Sequence, residues 1–121
     1  TGGGSVVLVS TVAASLGLPQ HEAIAAAKGG VEGLVRAAAA SYAGRGLRIN
    51  AVAPGLVDTP LAARITSNPK ALESSRARHP LGRIGTPDDI AAPIEWLLDP
   101  ATSWMTGQVI GVDGGMSTVR L

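Results

Sequence analysis

The sequence predicts an α/β fold, the C-terminal portion of a doubly wound parallel sheet with helices on both faces. Three observations predict it. Apolar runs at residues 6–9, 47–53 and 108–112 have the length and β-branched content of strands. Long helical patterns separate them, which demands crossover connections and therefore parallel pairing. Turn residues follow the second and third runs, at Pro54-Gly55 and at Asp113-Gly114-Gly115.

The first run, Val6-Val7-Leu8-Val9, has no polar alternation and is expected to be buried on both faces. It opens into Ser10-Thr11, crosses turn residues at Gly17 and Pro19, and enters an alanine-rich helix expected over residues 20–42. Ile24, Val31, Leu34, Val35 and Ala38 give this helix its apolar stripe, with Glu32 and Arg36 on a solvated edge. Gly29, Gly30 and Gly33 each cost about 1 kcal/mol against alanine in a helix interior. The compensation expected is close approach of another helix, that of a symmetry mate, with the sheet as the alternative. Gly44 and Gly46 end the helix.

The second strand stops at Pro54-Gly55, and a short helix is expected from Pro60 to Arg64 or Ile65. Residues 67–80 are the most polar stretch and are read as a mobile helical insertion over the C-terminal edge of the sheet. Thr86-Pro87-Asp88-Asp89 is a strong helix start, combining a cap, a proline at the first position and carboxylates at the positive end of the dipole. Ile90, Ile94, Leu97 and Leu98 form the expected buried stripe, with Pro93 bending the helix. The third strand then closes on Asp113, which reads as a turn residue and not a metal ligand.

Composition narrows the function classes. A chain of 121 residues is at most one domain, and residues 1–121 are read as a single partial one. With 45% hydrophobic residues it forms a core and is not disordered. A net charge of +1 without a basic cluster gives no nucleic-acid footprint. No apolar run approaches the ~18 residues of a membrane span. The absence of cysteine excludes disulfides and thiolate metal sites, and a cytoplasmic location is the default expectation.

Four short motifs occur in order: Ser10-Thr11 with Lys28, Asn50-x-x-x-Pro54-Gly55, Pro80-Leu81-Gly82-Arg83, and Val112-Asp113-Gly114-Gly115. Together they resemble the C-terminal half of the short-chain dehydrogenase/reductase family, over essentially the whole chain. The resemblance implies a Rossmann-like sheet, NAD or NADP as cofactor, a small-molecule carbonyl or alcohol as substrate, and a homo-oligomer, dimer or tetramer. It implies that Lys28 bonds the nicotinamide ribose and stabilises a neighbouring phenolate. It gives Thr11 the substrate hydrogen bond, a hydroxyl having the required donor and acceptor capacity. Pro54, Gly55, Val57 and Thr59 fall where the family's loop meets the nicotinamide carboxamide.

Two departures stand out. Where the family has the tyrosine of Tyr-x-x-x-Lys, this chain has Ile24, which transfers no proton. Tyr42 lies fourteen residues beyond Lys28 and cannot replace it. His21, three residues before Ile24, is the remaining titratable candidate, the alternative being a solvated residue at a helix start. The family's glycine-rich turn, where the cofactor pyrophosphate meets a helix N-terminus, has no counterpart here. Two function classes are therefore open: an oxidoreductase with an altered proton donor, and a non-catalytic relative acting in cofactor binding or assembly.

Overall fold

The computed structural model describes residues 2–121. Three strands, β1 (Gly4–Val9), β2 (Leu47–Pro54) and β3 (Val109–Val112), form one sheet in the order β1-β2-β3. Both pairings are parallel, with Val6 opposite Ile49 and Ala51 opposite Val109. The expected architecture is therefore observed, including the crossovers through α1 (Glu22–Tyr42) and through α2 (Ala63–Thr66), α3 (Pro69–Arg78) and α4 (Pro87–Leu98).

Alternation along the strands divides the helices between the two faces. Ile49 and Ala51 pack with Val35 and Ala39 of α1, and Leu8, opposite Ala51, joins them. On the other face lie Ser5, which donates to the Leu97 carbonyl of α4 at 2.9 Å, and Asn50, two registers along. Leu97 is fully buried there.

Asn50 is itself fully buried and acts as a clip. Its amide donates to the Met105 carbonyl and its oxygen accepts the Gln108 N–H, both at 3.0 Å. Arg48 makes a second clip, its guanidinium donating to the carbonyls of Asp99, Thr102 and Met105. These two polar side chains tie the loop before β3 to the middle strand, so the burial of Asn50 leaves no partner unmade.

Several expectations need correction. β1 is not buried on both faces: Val6 and Val9 are 41% and 43% exposed, because β1 is an edge of this sheet. α1 begins at Glu22 and not Gln20, whose φ of 63° is left-handed and incompatible with a helix. Leu34 is exposed, and the buried positions are Val35 and Ala39. Leu98 is exposed because it lies about 100° round the helix from Leu97, and Leu97 occupies the sheet-facing position. Glu32 is not simply solvated, since its carboxylate takes the Ser10 hydroxyl at 3.1 Å. The polar stretch 67–80 is helical, with Asn68 accepting the Lys70 and Ala71 N–H groups, but it ends in a histidine, His79, that is only 3% exposed.

The glycines of α1 do not face the sheet. A Cβ built on Gly29, Gly30 or Gly33 meets nothing within 4 Å, so this surface is open. Leucine at 33 would thus fit within the chain and gain up to about 1 kcal/mol of helix propensity. We expect Gly33→Leu to raise the thermal midpoint yet weaken self-association of the full-length protein. Unchanged sedimentation would mean that this face is solvated rather than an interface.

Candidate functional site

Because all three strands run the same way, their C-terminal ends lie at one edge of the sheet. Val9 leads into Ser10-Thr11, Pro54 into Gly55, and Val112 into Asp113. A cleft of about 620 Å³ opens at this edge. It is lined by Thr11, Ile24, Lys28, Pro54, Gly55, Val57 and Thr59, and roofed by Leu61 and Ile65. A smaller cavity of about 330 Å³ adjoins it, sharing Thr11, Gly55, Leu56 and Ile65, and adds His21 and His79.

Adjacent hydroxyls at the end of β1 are put to different uses. Ser10 is 3% exposed and turned toward α1, bonded to Glu32. Thr11 lines both cavities. Its oxygen accepts the Ala13 N–H at 3.3 Å, capping a short 3₁₀ turn at Val12–Ala14. That contact uses a lone pair and leaves the hydroxyl proton free to donate.

Lys28 reaches back along the helix to the strand. Its Nζ donates to the Val9 carbonyl at 2.9 Å, leaving two further N–H donors at the cleft. Ile24, one helical turn earlier, is 41% exposed and presents only methyl groups to the same cleft. His21 sits at the start of α1, its Nδ1 2.8 Å from the Pro19 carbonyl, and opens onto the smaller cavity. The structure thus groups Thr11, Lys28, Pro54, Gly55, Val57 and Thr59 in one cleft and sets His21 beside it.

The loop after β2 is rigidly built. Gly55 N–H continues the ladder to the Val112 carbonyl at 3.1 Å. Val57 then forms a parallel bridge with Gly85, using the Leu56 carbonyl and the Asp58 N–H at 2.8 and 2.9 Å. A parallel bridge takes the groups on either side of its central residue. The N–H of Val57 itself therefore points away from Gly85 and is available to a carbonyl-bearing ligand.

Two of the motifs turn out to be braces. Arg83 grips Asp89 with both terminal guanidinium nitrogens, at 2.6 and 3.0 Å, and Asp89 closes a capping box with Thr86 at the start of α4. Arg83 first, and then the Thr86 N–H and hydroxyl, hold the Asp89 carboxyl far below the usual carboxylate range. Asp113 is a turn residue as expected, accepting the Gly115 and Ser117 N–H groups at 2.9 and 3.0 Å. Burial pushes its carboxyl up, but hydrogen bonds from Ser117 and Gly115 outweigh this and leave it lowered. No cluster of three potential metal ligands occurs among the described residues.

Sequence reasoning passed over His79, grouping it with a polar surface. Its burial is legible only in the fold, where it sits behind Gly55: a Cβ at that glycine would lie 2.6 Å from its Nε2. Leu56, which separates the two cavities, was likewise unmarked.

A family model described as enoyl-(acyl carrier protein) reductase matches residues 1–117. The chain belongs to the short-chain dehydrogenase/reductase family. It is 44% identical over 113 residues to a 3-oxoacyl-[acyl-carrier-protein] reductase of Thermotoga maritima, covering 93% of this chain and 45% of that protein. It is 41% identical over 118 residues to cis-4-hydroxycyclohexanecarboxylate dehydrogenase of Sinomonas cyclohexanicum, covering 98% and 47%. The crystal structure of a gluconate 5-dehydrogenase from Burkholderia cenocepacia, in complex with NADP and tartrate, superposes with a TM-score of 0.94 at 28% identity. That match covers 98% of this chain and 47% of the other. The chain of this short-chain dehydrogenase/reductase thus spans about half the length of the relatives it matches. No helix among its described residues is long and apolar enough to cross a membrane.

The two lowered carboxyls carry a pH dependence of definite sign. A carboxyl whose folded-state pKa lies below its unfolded value, near ~3.9, contributes stability that is fully present above that value and is lost as pH falls toward the folded one. We expect the urea midpoint of the protein to fall progressively as pH drops below about 5. In Asp89→Asn the acid-induced fall should be shallower. Parallel pH profiles for parent and variant would show that the Arg83–Asp89 brace does not contribute.

Proposed function

We propose that this chain is the C-terminal half of an NAD- or NADP-dependent oxidoreductase that interconverts a small-molecule carbonyl and its alcohol in the cytoplasm. One observation carries the reading: a single cleft gathers Thr11, Lys28, Pro54, Gly55, Val57 and Thr59 from the ends of β1 and β2, the loop beyond β2 and the face of α1. The NADP held by the gluconate 5-dehydrogenase from Burkholderia cenocepacia supports the choice of cofactor class.

The residues fit such a group. The free N–H of Val57 and the hydroxyl of Thr59 would hold the carboxamide, and the remaining Lys28 donors the ribose hydroxyls. A bound nicotinamide supplies or accepts hydride. This chain's own residues orient the substrate and handle the proton. Thr11, whose oxygen accepts the Ala13 N–H, donates a hydrogen bond to the substrate oxygen and keeps its proton. Lys28, fixed on the Val9 carbonyl, places positive charge where negative charge grows on that oxygen. The proton itself comes from His21 through the adjoining cavity, since Ile24 has none to give.

The apolar lining at Ile24 favours a second reading, a relative that binds cofactor or assembles without catalysing. One pair of variants of the full-length protein separates the two. Ile24→Tyr puts a phenol one turn before Lys28, and a positioned acid/base contributes ~10²–10⁴-fold. NAD(P)H-dependent carbonyl reduction should rise accordingly. His21→Ala should abolish the parent's reduction. No gain in the first and no loss in the second, with cofactor bound in both, would establish the non-catalytic reading.

A further inference from the structure

We infer that His79 is a positioning residue for the cofactor loop: it holds the backbone of Leu56 between Gly55 and Val57, and so fixes the groups on which nicotinamide binding depends. The inference rests on the proposed function for its consequence but not for its geometry.

Leu56 stands where the β2 ladder has run out. Gly55 N–H still finds the Val112 carbonyl, and the Gly85 bridge begins with the Leu56 carbonyl, so the Leu56 N–H is left between the two systems. His79 Nε2 accepts that N–H at 3.1 Å. An acceptor Nε2 must carry a lone pair, which puts the ring proton on Nδ1, where it donates to the Ser75 carbonyl at 2.6 Å. Both ring nitrogens are thus committed, and the imidazole ties the end of α3 to the turn after β2. The residue is 3% exposed. It also packs against Gly55, where a Cβ would meet Nε2 at 2.6 Å and Asp113 Cβ at 3.1 Å, so the turn and the imidazole have one mutual fit.

The consequence follows from adjacency. Rotation of the Gly55–Leu56 peptide, which carries the Leu56 N–H, would displace the Leu56 Cα and side chain that line both cavities, and with them the start of the peptide that presents the Val57 N–H. A buried donor left without an acceptor tends to drive such a rearrangement. His79 never touches the ligand; it acts through Leu56.

Two substitutions separate its two bonds. Glutamine places a carbonyl oxygen near the Nε2 position and keeps an acceptor for Leu56; asparagine places an amide nitrogen near Nδ1 and keeps only the donor to Ser75. In the full-length protein we would titrate NADP and NAD, and measure hydrogen exchange at the Leu56 amide and thermal midpoints. His79→Asn should weaken cofactor binding about tenfold, about 1.4 kcal/mol, with fast Leu56 exchange. His79→Gln should bind and exchange like the parent. Equal affinity and equal exchange in the two variants, or a loss of affinity that merely follows the thermal midpoint in both, overturns the inference. Should the parent bind neither cofactor, the functional proposal fails, and the exchange contrast alone decides: fast in asparagine and slow in glutamine sustains the role of His79, while equal rates refute it.

Discussion

Parallel pairing on both flanks of β2 is the constraint from which the site follows. A central strand bonded on each side has nowhere to place its polar groups except in the ladder. β2 is correspondingly buried from Ile49 through Ala53. Parallel neighbours end at the same edge, so the chain leaves the sheet three times within one small region. Each exit carries chemistry the strands cannot: hydroxyls at Ser10-Thr11, a backbone turn at Gly55, a carboxylate at Asp113. Lys28 completes the arrangement from α1, because its chain length lets the ammonium return to the last carbonyl of β1.

The four motifs divide physically between bracing and binding. Asn50 buries an amide to hold the loop before β3, and Arg83 with Asp89 clamps the start of α4. Asp113 shapes a turn by accepting two backbone N–H groups. Of the motif residues, Ser10, Thr11, Lys28, Pro54 and Gly55 line the cleft, followed by Leu56, Val57 and Thr59 of the loop beyond. Several residues that announce the family in this sequence therefore keep the sheet edge in shape, while others line the cleft. This is why the resemblance survives intact while the position of the family's tyrosine has changed.

Strand positions and parallel direction were legible in the sequence, because they rest on local apolar runs and on the handedness of crossovers. The cleft residues were named only through the resemblance of their motifs to the family. The misread positions depended on what lies beside them in space. Val6 and Val9 have the composition of buried residues, and only the sheet's edge exposes them. Leu34 and Val35 are neighbours in one apolar run, and which faces β2 is decided by the rotation of α1. Ser10 and Thr11 are equivalent as hydroxyls; the strand's alternation sends one to Glu32 and the other to the cleft. His79 was invisible in a run of arginines and serines, since nothing local marks a histidine whose partners lie four and twenty-three residues away.

The replacement at position 24 shows how far architecture and proton transfer are separable here. A missing phenol would matter to the fold if it left a buried group without a partner. No buried side-chain polar atom among the described residues lacks one. Lys28, the group a phenol at position 24 would neighbour, spends a donor on the Val9 carbonyl and keeps its ammonium at an open cleft. Ile24 meanwhile extends an apolar wall with Ile90, Ala91 and Ile94 of α4. The substitution thus has no structural penalty to propagate through the sheet, and selection on folding alone would not restore the tyrosine.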